Sequence, residues 1–151
     1  RGDAGTAPRR NESSMSTPTT FARRVFFGAG IYGLLVLLPQ YLLELGVGPA
    51  QSEPIRHPEH FYGFVGAALA AQVVFLVIAG DGQKYPRLML PAILEKMAFG
   101  VPVLLLYAVG RVGADVLAFG CIDLALGALF LWAYRTTGDS RGSAQRTATA
   151  G

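Results

Sequence analysis

Four long apolar stretches, at residues 25–43, 61–79, 88–109 and 112–134, decide what this chain can fold into. An α-helix rises 1.5 Å per residue, so about 20 apolar residues cross a hydrocarbon layer of about 30 Å. Each stretch reaches or approaches that length. The period-2 alternation of a transmembrane β-barrel is absent. A soluble bundle needs a polar face on every helix. FVGAALAAQVVFLVIA, at 64–79, breaks its apolar run only at Gln72. The sequence therefore predicts an all-α fold, an integral membrane bundle of four helices spanning residues 21–135.

Composition removes other classes. Of 151 residues, 52% are hydrophobic and 15% charged, whereas soluble domains carry about 25% charged residues. A disordered chain needs the opposite balance. A single cysteine, Cys121, excludes a disulfide framework and a cysteine-based zinc or iron–sulfur site. His57 and His60 lie outside the apolar stretches or at their rim, which leaves no bis-histidine haem or chlorophyll ligation inside the bundle. No GxxxxGK[ST] occurs, and GDG at 80–82 is a turn. Nothing resembles a channel filter. No cofactor is expected, and nucleic acid is an implausible partner because the basic residues are spread along one membrane face.

Those basic residues set the expected orientation. Arg1, Arg9, Arg10, Arg23 and Arg24 precede the first stretch, Lys84 and Arg87 fall between the second and third, and Arg135, Arg141 and Arg146 follow the fourth. The other side carries only Arg56 and Arg111. The positive-inside rule then predicts cytoplasmic N- and C-termini. Trp132 and Tyr134 fit an aromatic belt at that side.

Residues 1–20 and 136–151 have little to bury and read as disordered ends. Met15 opens MSTPTTFARR, a sensible native start, so residues 1–14 are set aside as non-native. The first stretch exceeds the usual 7–15-residue core of a signal peptide and reads as an uncleaved anchor.

Small residues mark where helices approach, since lipid gives them little reason to hide apolar area from one another. Gly63, Ala67 and Ala71 recur every four, Gly113, Gly120 and Gly127 every seven, and Ala29 with Gly33 makes a shorter pair. A tight monomeric bundle uses them internally, whereas a homodimer would use one of them outside. Pro91 and Pro102 predict a kinked third span.

The chemistry lies with charges in the membrane. Asp123 falls at the midpoint of the fourth stretch, where a carboxylate costs at least about 2.5–3.5 kcal/mol on insertion scales. Glu95 and Lys96 are adjacent in the third stretch, about 100° apart on a helix, so both face inward only from the edges of one sector. Lys96 lies about 12 Å and Asp123 about 16 Å from the same membrane side by helical rise, on antiparallel neighbours, so a Lys96–Asp123 pair is within reach. Glu95, Lys96, Asp123 and Gln72 are the candidate ligand-binding residues. The structural alternative has Lys96 snorkelling beside Glu95 and Asp123 protonated in packing. A third role is docking against another membrane subunit.

A second polar group gathers at the outer side, with Glu44, His57, Glu59, His60, Arg111 and Asp115. His57, Glu59 and His60 form a possible two-histidine, one-carboxylate set. Pro58-Glu59 is also how a helix begins, with proline at the first position and an acid in the first turn. The expectation is capping without a metal. Arg111 and Asp115, four apart, suggest an i,i+4 pair.

The four-span layout over residues 21–135, with a glycine-rich second span ending in a charged turn, Gly110-Arg111, and an acid beside LALGALFL, resembles small bacterial DoxX-like and related uncharacterised four-helix membrane proteins. The resemblance is one of layout. It implies a multi-pass protein of the bacterial cytoplasmic (inner) membrane, and for some relatives a partnership with membrane oxidoreductases. It transfers no site residues, and no catalytic residue is assigned. Two functions remain open: a module or enzyme whose charged centre holds the polar group of a lipid, quinone or isoprenoid, or a non-catalytic accessory subunit of a larger membrane complex.

Overall fold

The computed structural model describes residues 17–44 and 57–149, with side chains over 20–40 and 57–138. Readings that concern residues 1–14, Arg56 or the side chain of Glu44 lie outside the described residues. The helices are α1 (Thr17–Glu44), α2 (Pro58–Gly80), α3 (Met89–Ala108) and α4 (Ala114–Thr149), with one 3-10 turn at Pro86–Leu88 before α3. All four are long and apolar enough to cross a membrane, over Thr20–Gln40, Pro58–Gly80, Pro86–Ala108 and Ala114–Gly138. The outer surface agrees with that length. Leu35, Leu94, Leu105 and Val109 are 65–70% exposed, on a surface whose apolar extent would drive aggregation in water.

Local chemistry sets the helix ends. Pro58 opens α2 and Glu59 occupies its first turn, where the missing amide costs nothing and the acid meets the positive helix end. Asp81 Oδ1 accepts the Lys84 amide at 3.0 Å, which closes the turn after α2. Gly110 ends α3 with φ +71°. Its amide donates to the Tyr107 carbonyl at 2.9 Å and that of Arg111 to the Leu106 carbonyl at 2.9 Å, the paired bonds of a glycine-terminated helix.

Three sequence expectations need correction. The tail read as disordered from 136 continues α4 to Thr149, and α1 begins at Thr17 rather than after residue 20. Both extensions consist of polar residues that simply prolong a helix already nucleated by its apolar part. Pro91 lies in the first turn of α3, where its amide would have no partner anyway, so Pro102 alone interrupts the helix interior. Arg111 precedes α4, so the i,i+4 argument for Arg111 and Asp115 does not apply. Both are exposed, and no ion pair joins them among the described residues.

The helices pack as two antiparallel hairpins, α1–α2 and α3–α4, joined across α1 and α4; α2 and α3 touch least. Glycines let the hairpins close. A Cβ on Gly100 of α3 would stand 3.0 Å from the Gly120 carbonyl oxygen of α4, and one on Gly120 would overlap Val103. Gly127 abuts Lys96 and Met97, and Gly33 of α1 abuts the Gln72 amide of α2. Gly120 and Gly127 of the seven-residue stripe are thus used inside the bundle, whereas Gly63 faces open space.

At the end carrying the 81–85 turn the interior is filled. Phe26 and Phe130 stack at 4.1 Å between ring centroids, with Phe75 edge-on to both at 6.1 and 4.9 Å. Ala22, Ala29, Ile78, Met89 and Ala133 complete this core.

Candidate functional site

The charged centre lies directly beyond that aromatic layer. α3 presents Lys96, 5% exposed, to α4, where Gly127 in place of a larger side chain leaves room for its Cβ. Lys96 Nζ stands 3.1 Å from Asp123 Oδ1 of α4 and 3.1 Å from Glu95 Oε2 of its own helix. It also lies 5.3 Å from the Phe75 ring centroid, within range of a cation–π attraction. Glu95 sits at the edge of the inward sector, its side chain 27% exposed against 6% for Lys96 and 14% for Asp123, as the 100° helical step requires. Lys96 is turned towards Asp123 of α4 and buried within the bundle.

Gln72 joins the same layer from α2 and is 1% exposed. Its Nε2 donates to the Ala68 carbonyl at 3.0 Å. Its Oε1 is buried with no hydrogen-bond partner among the described residues. All four candidate residues, Glu95, Lys96, Asp123 and Gln72, therefore come together.

They form part of the wall of a half-enclosed cavity of about 690 Å³ between the charged layer and the end carrying Gly110. Every helix contributes: Tyr32, Gly33 and Val36 from α1, Phe64 and Ala67 from α2, Ala98 and Phe99 from α3, and Val116 and Phe119 from α4. Phe64 and Phe99 approach to 6.1 Å across the α2–α3 seam. The volume lies inside the range of about 300–1,000 Å³ found for small-molecule pockets, and an apolar lining with a few convergent polar groups is their usual make-up. Sequence reasoning missed Tyr32, although it is the one tyrosine at mid-span and so carried a signal. The apolar lining residues carried none.

The second polar group assembles only in part. His57 Nδ1 and Glu59 Oε1 lie 3.1 Å apart, the His57 and His60 rings stack at 5.2 Å, and the ligand atoms of the three residues fall within 4.8 Å of one another, all exposed. That set could chelate an ion by reach, while helix-start chemistry already accounts for Pro58 and Glu59. No ion pair connects it to Arg111 or Asp115 among the described residues.

In comparisons with known proteins, no family model, no curated protein and no solved structure matches this chain.

Proposed function

We propose that this chain is a multi-pass protein of the bacterial inner membrane, with both termini cytoplasmic, that binds a lipophilic small molecule in its four-helix cavity. The observation that carries the reading is the cavity itself, apolar along its walls and floored by Lys96, Glu95, Asp123 and Gln72. A buried ion triad is a poor way to stabilise a bundle. Desolvating such groups costs several kcal/mol each, and apolar replacements of similar volume are often as stable. Intramembrane charges characteristically mark ligand or ion paths, and here they border a space of ligand size. A lipid, a quinone or an isoprenoid suits the apolar walls. The layout shared with DoxX-like proteins fits this reading and also the accessory-subunit reading.

Native mass spectrometry of gently extracted protein tests it. The expected result is a retained lipophile, lost when Phe119→Trp and Ala98→Leu fill the cavity. Protein that keeps no lipophile but carries stoichiometric partner subunits would replace this reading with that of an accessory subunit.

A further inference from the structure

Resting on the reading of the cavity as a lipophile site, we propose that its occupant presents a hydrogen-bond donor at its polar end: a hydroxyl or an ammonium on an apolar tail, rather than an anionic or acceptor-only head. The balance of donors and acceptors on the cavity floor leads to this. Among the described residues Lys96 is the only cation there, and two carboxylates already share it, at 3.1 Å each. Two acidic side chains thus face a single ammonium. A phosphate or sulfate head would find that cation already shared, with both acidic side chains beside it.

Gln72 points the same way independently. Its Nε2 is committed to the Ala68 carbonyl at 3.0 Å. A backbone carbonyl only accepts, so turning the amide over would set oxygen against oxygen. The orientation is thereby fixed, and Oε1 is left as a buried acceptor without a donor. Glu95 Oε2 already has the Lys96 ammonium at 3.1 Å. The directed contact from Lys96 Nζ falls on Oε1, at 3.5 Å. Tyr32 adds a hydroxyl that both donates and accepts, which leaves the excess of acceptors in place. Buried polar atoms are ordinarily satisfied, and an incoming O–H or N–H would satisfy Gln72 Oε1.

Photolabelling of the full chain in zwitterionic lipid nanodiscs separates the possibilities. Four probes share one diazirine-bearing hexadecyl tail and end in an alcohol, a primary amine, a methyl ketone or a phosphate. Intact mass gives the labelled fraction, and peptide mapping gives the position. The alcohol or the amine should label cavity residues about tenfold more than the ketone or the phosphate, the difference expected from one hydrogen bond to a charged or buried partner. Alcohol over amine identifies a neutral head and amine over alcohol a cationic one; both support the proposal. Gln72→Leu should reduce alcohol labelling about three- to tenfold, and the comparison among probes on the unmodified chain stands if that variant does not fold. Equal or stronger labelling by the ketone or phosphate overturns the donor rule and leaves the lipophile site intact. Absence of cavity labelling by all four probes sinks the lipophile site itself.

Discussion

Lys96 of α3 and Asp123 of α4 meet at 3.1 Å across the interface of one antiparallel hairpin, and the same ammonium also holds Glu95 at 3.1 Å. The cation is therefore the shared element of the centre, and its removal is not equivalent to removal of either acid. Lys96→Met strands two carboxylates, whereas Asp123→Asn leaves Lys96 with Glu95. We expect Lys96→Met to destabilise by on the order of 3 kcal/mol or more, the scale for breaking a buried pair, and Asp123→Asn by clearly less. The Lys96→Met/Asp123→Asn double variant should lose less than the sum of the two single losses. Melting curves in one detergent give all four corners of the cycle, and strict additivity would refute the energetic coupling.

Glycine substitutions should separate the packed faces from the open one. Gly120→Ala forces a methyl group into Val103, a β-branched neighbour with little freedom to move, so a loss of about 1–3 kcal/mol is expected. Gly63→Ala meets nothing within 4 Å and should change stability by no more than about 0.5 kcal/mol. Thermal shifts of the two variants side by side check this. Equal losses would mean that α3 and α4 do not approach as closely as Gly100 and Gly120 allow.

The uneven distribution of lysine and arginine predicts the proposed orientation. With Cys121→Ala as background, single cysteines at Ser52 and Ser143 report the two sides. A membrane-impermeant reagent applied to intact cells should label position 52 and spare position 143. The reverse pattern would invert the assignment.

The histidine pair at the start of α2 should not carry a structural metal. Its members are fully accessible to chelators, and the Glu59 carboxylate is already engaged by His57 at 3.1 Å. Purified, chelator-washed protein should contain less than stoichiometric zinc by elemental analysis, and its melting temperature should not rise when zinc is restored. Tightly held zinc that disappears with His60→Ala would contradict this.

The four helices were legible because hydrocarbon thickness imposes a length, and the Lys96–Asp123 pair because helical rise brings both to one depth. Glu95 at the edge of its sector followed from the same geometry. What escaped the sequence depended on relations between helices. The cavity exists because α2 and α3 part while α1 and α4 touch, and no single apolar run encodes that separation. The extension of α4 through polar residues to Thr149 escaped for another reason. Polar composition signals little apolar surface to bury, and a helix nucleated by its apolar part can continue through such residues.

The 3.1 Å contact between Lys96 and Asp123 also bears on how the chain enters the bilayer. Alone, α4 would carry the Asp123 carboxylate into hydrocarbon without a counter-charge, at a cost of about 2.5–3.5 kcal/mol on insertion scales, whereas α3 brings Lys96 with its own Glu95 at 3.1 Å. Only five residues, 109–113, separate the two helices, so their charges can meet before either helix is committed to lipid. α3 and α4 are therefore expected to enter the bilayer together, with Asp123 of α4 meeting the Lys96 ammonium of α3 as they do so. α1 and α2, which form no ion pair with each other among the described residues, give no such reason for joint entry.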